Sequence, residues 1–89
     1  MNIFEDLIKL ARERKDQPLE GSYTNKLLND KSLSKAKVLE EINELIEAVD
    51  NNTNKIHEAA DVIYHLMVYL EANNVKIEDV MDELKKRQK

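Results

Sequence analysis

The chain has 89 residues and a formal charge of −4, with 36% charged residues, one glycine, one proline and no cysteine. That length allows one domain, residues 1–89, whose small core would gain from pairing with a second copy. So few turn residues exclude a fold of many short strands, missing thiols exclude disulfides and thiolate metal sites, and basic residues scattered among acids exclude nucleic acid as the main partner. The expected class is all-α, a small bundle of four to five helices completed by dimerisation.

In chain order, Asn2 can cap a first helix whose apolar positions Ile3, Phe4, Leu7, Ile8 and Ala11 share one face. This segment lacks the apolar block and cleavage site of a signal peptide, and no apolar run approaches the ~20 residues of a membrane span, so no membrane partner and a cytoplasmic setting are expected. The helix should end near Asp16, because Pro18 pushes Gln17 out of the α region and Gly21 follows as a turn residue. Gly21 to Leu28, GSYTNKLL, reads as a short helix capped by Ser22, with Tyr23, Leu27 and Leu28 anchoring it on the core. A glycine entering a helix that carries Ser22, Thr24 and Lys26 also offers N–H groups, hydroxyls and a cation to an anion, although ordinary capping uses the same residues.

Residues 29–34 read as a polar connection, with Ser32 or Ser34 capping a long helix over about Lys35 to Asp50. Its expected core stripe is Val38, Ile42, Leu45 and Val49, with Glu41, Glu44 and Ala48 on one shoulder and Glu40 and Glu47 turned further toward solvent. The turn DNNTN follows. The next helix, Ile56 to Ala72, is apolar nearly all round and belongs in a core, yet Glu58, Asp61 and His65 share a stripe about 60° wide. Asn73 and Asn74 close it. A last helix carries Ile77, Val80, Met81 and Leu84 on its packing face, has a poor N-cap, and ends in the basic cluster Lys85, Lys86, Arg87 and Lys89.

The short DNNTN turn makes its two helices antiparallel neighbours. Counting from Asn52, Glu44 and Glu58 then differ in height by about 3 Å, with Glu41 and Asp61 one turn deeper. Four carboxylates so placed repel one another unless a cation joins them. Oxygen ligands favour Mg²⁺, Mn²⁺ or Ca²⁺, and Mg²⁺ commonly completes its shell with substrate phosphates. HEAAD at His57 to Asp61 departs from the zinc-protease HExxH at its last position, and neither Glu41 nor Glu58 has the histidine three residues on that a di-iron bundle needs.

Taken together, GSYTNKLL, KVLEEINE at Lys37 to Glu44, EAADVIYHL at Glu58 to Leu66 and EDVMDELKKR resemble the phosphoribosyl-ATP pyrophosphohydrolases, a family within the all-α MazG-like nucleotide pyrophosphohydrolases. The likeness spans nearly everything from Gly21 onward. The ExxE and ExxD pairs mark the wider superfamily, and GSYT with EAADxxYH narrows it. The resemblance implies Mg²⁺-dependent hydrolysis of phosphoribosyl-ATP to phosphoribosyl-AMP and pyrophosphate in histidine biosynthesis, with Mn²⁺ a possible substitute, by a homodimer whose subunits together shape the pocket. It implies Glu41, Glu44, Glu58 and Asp61 as metal ligands, Glu40, Glu41 and Glu44 as catalytic acids, with Glu40 a second-metal ligand or water-activating base, and Ser22, Tyr23, Thr24, Lys26, Lys37 and His65 as substrate contacts. One departure is Leu39, where the family usually has glycine before the EE pair; a bulky side chain there alters the packing or the pocket. Two alternatives stay open at this level: a related enzyme acting on other nucleoside triphosphates, and a non-enzymatic helical dimer with a solvated acidic face.

Overall fold

The computed structural model describes residues 2–88. Among these, five helices carry the fold: α1 (Ile3–Asp16), α2 (Tyr23–Asn29), α3 (Lys31–Asn51), α4 (Lys55–Ala72) and α5 (Ile77–Arg87). The short turn folds α4 back along α3, α1 and α2 pack against this hairpin on α4, and α5 packs against α4. The all-α bundle read from the sequence is the architecture found.

Local chemistry sets most helix ends. Asn2 accepts at Oδ1 from the Phe4 N–H at 2.8 Å, and α1 stops at Asp16, just before the residue that Pro18 constrains. Gly21 has φ +83°, a left-handed turn that a side chain would strain, and it delivers the chain to Ser22, whose hydroxyl accepts from the Asn25 N–H. The connection expected over residues 29–34 shrinks to one residue. Asp30 is both the C-cap of α2 and the N-cap of α3, its carboxylate accepting from the Leu33 N–H at 3.0 Å. A carboxylate at Asp30 caps better than a later serine could, so α3 begins four residues before the expected Lys35, and neither Ser32 nor Ser34 caps it. At the far end Asn52 sits in the left-handed region, φ 55° and ψ 48°, and its N–H returns to Ala48 and Val49 carbonyls. Asparagine tolerates that conformation, which lets a turn this short reverse the chain. The poor cap expected for α5 is found: Lys76 makes no side-chain capping bond.

The core lies where Leu27 and Leu28 of α2 meet Val68 and Ala72 of α4, flanked by Leu33 and Tyr64. Three expectations about burial are corrected. The face of α3 turned inward carries Ser34, Glu41 and Ala48, spaced seven apart, whereas Leu39, Ile42, Ile46 and Val49 remain exposed. That apolar stripe lies about 120° round the helix from the inward line, because α4 and α2 cover the small and polar side of α3. On α5, Ile77 is buried but Met81 and Leu84 are exposed, since only the start of the helix reaches α4. Tyr23 does not anchor in the core; its ring lies at the surface against Tyr64 and His65.

An ionic cluster ties the ends of the bundle. Arg12 of α1 donates from Nη1 to Glu78 Oε2 at 2.7 Å and from Nη2 to Glu78 Oε1, and its Nε lies 3.5 Å from Glu71. Lys15 donates to the Glu71 carbonyl at 2.9 Å and to Asn74 Oδ1 at 2.7 Å. Two-point guanidinium contacts fix orientation as well as charge, so this cluster sets how α1 and α5 meet the end of α4.

Candidate active site

The α3–α4 hairpin brings carboxylates from both helices to one place. Glu41, Glu44 and Glu58 each offer an oxygen within 4.8 Å of the others. Glu41 is only 7% exposed, and Glu41 Oε2 and Glu58 Oε2 are shut off from water with no hydrogen-bond partner. Burial pushes the Glu41 carboxyl above the usual carboxylate range, and the neighbouring charges of Glu44 and then Asp61 push it further, while a protonated His65 opposes them. Glu58 is raised for the same reasons, burial first and Glu44 next, with His57 pulling the other way. Two buried acceptors facing each other without donors are costly in a protein interior. A hard divalent cation removes the cost, and this all-oxygen set fits one.

Asp61 joins the group indirectly. Its Oδ2 lies 3.3 Å from His57 Nε2, and His57, Glu58 and Asp61 form a second trio that shares Glu58 with the first. Glu40 belongs to neither trio and takes the Lys37 ammonium at 2.8 Å. That bond, more than any other neighbour, raises the Lys37 pKa.

The other sequence-read residues divide by exposure. Lys26, Ser22 and Tyr23, with Gly21 and Asn29, line an open hollow of about 610 Å³ at the start of α2; the acidic trio lies outside its walls. Ser22 spends its hydroxyl as a cap, and Thr24 is buried with Oγ1 2.6 Å from Tyr64 Oη. His65 is buried, with Nδ1 2.7 Å from the Asp61 carbonyl and Nε2 2.9 Å from Tyr23 Oη. Thr24 and His65 therefore face internal partners, and Tyr23 spans from the hollow to the helix that carries Asp61. Leu39 belongs to the exposed stripe of α3 and not to the walls of the hollow.

Sequence reading missed two residues. Asn25 is buried and donates from Nδ2 to the Arg14 carbonyl at 2.6 Å while accepting from the Leu19 N–H at 2.7 Å, so one amide pins the end of α1 and the loop to α2. An asparagine early in a helix carries no signal of that role. His57 did carry one, since it stands four residues before Asp61 and such pairs meet on a helix.

The profile of the phosphoribosyl-ATP pyrophosphohydrolases matches residues 4–88. The chain belongs to that family. It is 45% identical to a phosphoribosyl-ATP pyrophosphatase of Clostridium acetobutylicum, an alignment covering 96% of this chain and 80% of the relative. The corresponding protein of Listeria welshimeri is 44% identical, over 97% of this chain and 85% of the relative. A histidine biosynthesis bifunctional protein, HisIE, of Pyrococcus furiosus is 37% identical over 100% of this chain and 43% of its own length. Among the described residues no helix is long and apolar enough to cross a membrane.

Proposed function

We propose that this chain is a phosphoribosyl-ATP pyrophosphohydrolase that cleaves the bond between the α and β phosphates, releasing phosphoribosyl-AMP and pyrophosphate in cytoplasmic histidine biosynthesis. The observation that carries the reading is the convergence of Glu41, Glu44 and Glu58, with two sealed and unpartnered oxygens, in a chain of this family. Mg²⁺ suits that set, with Mn²⁺ as a substitute. When bound there, a divalent cation supplies neutralisation of phosphate charge and a more acidic attacking water.

The chain's own residues do the positioning. Glu41, Glu44 and Glu58 would hold a divalent ion, and Asp61 would extend the set from the His57 side. Lys37 and Glu40 act as a pair, the ammonium toward substrate phosphate and the carboxylate as base for the water. Lys26, beside Gly21 at the hollow, takes the phosphoribosyl end. Fixing water and phosphorus in line supplies much of the rate enhancement in such reactions.

A second copy of the chain covers the exposed stripe of α3. Leu39, Ile42, Ile46 and Val49 follow a 3-4-3 spacing, and Ile56, Ile63 and Leu66 stand exposed on α4. Stripes with that spacing pair helix to helix, and a small domain gains most from such pairing. The deciding experiment is pyrophosphate release from phosphoribosyl-ATP with and without Mg²⁺, with ATP and other nucleoside triphosphates in parallel. Turnover that needs Mg²⁺ and favours phosphoribosyl-ATP is expected; equal turnover of ordinary triphosphates, or none of any substrate, overturns the reading.

A further inference from the structure

The hydrogen-bond chain from Asp61 through His65 to Tyr23 has a fixed polarity. A backbone carbonyl can only accept, so the 2.7 Å contact from Asp61 O requires the proton of His65 to sit on Nδ1. In the neutral ring Nε2 then has only a lone pair to offer, and the 2.9 Å contact makes Tyr23 the donor. The phenol's single proton is thereby committed inward.

Rotation does not relieve this. His65 is buried, Tyr64 meets it edge-on with centroids 5.1 Å apart, and Tyr23 meets it edge-on at 5.7 Å. Tyr64 is itself held by Thr24 and lies nearly parallel to Tyr23, centroids 6.4 Å apart. Three rings and a threonine fix one arrangement, while 43% of Tyr23 remains exposed at the hollow beside Gly21, Ser22 and Lys26.

We propose that Tyr23 is a specificity residue that presents a hydrogen-bond acceptor to the substrate, and that His65 is the positioning residue that makes it one. A phosphate oxygen at neutral pH offers no proton, so Tyr23 has nothing to donate to it and nothing to receive from it. The group it recognises is an O–H or N–H donor, either a hydroxyl of the added ribose of phosphoribosyl-ATP or a donor on the adenosine that this substrate shares with ATP. Lys26, also at the hollow, supplies the positive charge for phosphate that Tyr23 does not. This rests on the function proposed above and adds the chemistry by which the site reads the nucleoside part of its substrate.

Two measurements test it. Nitrogen-15 correlation spectra of the wild-type chain at neutral pH report the His65 protonation whether or not the chain is active; a proton on Nδ1 and a bare, accepting Nε2 are expected, and either the opposite tautomer or a doubly protonated ring overturns the proposal. For the second, Tyr23→Phe should raise KM for phosphoribosyl-ATP roughly tenfold, the worth of one well-placed hydrogen bond, with the change falling on KM and not on kcat. His65→Asn keeps a donor toward the Asp61 carbonyl but removes the acceptor for Tyr23 and should shift KM the same way. His65→Gln, whose amide oxygen reaches toward the Nε2 position, should recover part of the loss. Inhibition constants of ATP separate the two sources: an unchanged value in Tyr23→Phe assigns the contact to the added ribose, and a parallel loss assigns it to the adenosine. Unchanged KM and unchanged ATP inhibition in Tyr23→Phe overturn the proposal. Absence of phosphoribosyl-ATP turnover in the wild type instead removes the function it rests on, with the ATP-binding and tautomer measurements still deciding the role of Tyr23.

Discussion

Glu41 on α3 and Glu58 on α4 face one another across the hairpin, each with one carboxylate oxygen sealed from water and lacking a donor. Without a cation this arrangement works against the fold, because burial and the nearby charges of Glu44 and Asp61 both disfavour the charged forms.

Glu41→Gln should therefore stabilise the metal-free protein at neutral pH while abolishing its response to Mg²⁺. A gain of about 1 kcal/mol corresponds to roughly 4–8 °C in a domain of this size. Wild-type protein at Mg²⁺ near 100 times its Kd should gain about 2.7 kcal/mol, and Glu41→Gln almost nothing. Melting curves with and without the ion read both effects; a Mg²⁺ response that survives the substitution contradicts the assignment of Glu41 as a ligand.

The Arg12–Glu78 pair predicts acid sensitivity at a distance from the site. The hydrogen bond from Arg12 holds the Glu78 carboxyl down at about 2, against ~4.3 in an unfolded chain. Between those values the unfolded state binds more protons, so the stabilisation is full above about pH 5 and fades as pH falls toward 2. Glu78→Gln should melt below the wild type at pH 6 and with it at pH 2. A melting difference that persists unchanged at pH 2 would mean the pair acts by something other than charge.

Ile46 is 53% exposed in the centre of the α3 stripe. Ile46→Glu should leave the helix content and the fold of the single chain intact, since little burial is lost there, and should shift the sedimentation of micromolar protein from dimer to monomer. A wild-type chain that sediments as a monomer would remove the dimer proposal itself.

Asn25→Ala should cost about 1–2 kcal/mol, because it removes both part-buried hydrogen bonds, from the Leu19 N–H and to the Arg14 carbonyl. Asn29→Ala, at an exposed position on the same helix, should change stability by less than about 0.5 kcal/mol. Denaturant midpoints of the two variants make the comparison, and equal costs would argue against the Asn25 tether.

The sequence by itself determined the helices, the carboxylate pairing and the family, since each depends on short-range information. A cap such as Asn2, a breaker such as Pro18, the spacing of Glu41 from Glu44 and of Glu58 from Asp61, and a turn too short to do anything but reverse the chain all act within a few residues. The one boundary misplaced by more than a residue is the start of α3, which Asp30 caps before Ser32 or Ser34 is reached. Tertiary structure decided which apolar face of α3 is covered, because an amphipathic stripe has the same appearance whether it packs within its own chain or awaits another. It also decided that Asp61 reaches the cluster through Glu58 and His57, and that Tyr23, Thr24 and His65 form one hydrogen-bonded unit. The last of these joins side chains about 40 residues apart, and its donors and acceptors are assigned only once the helices that carry them have been packed.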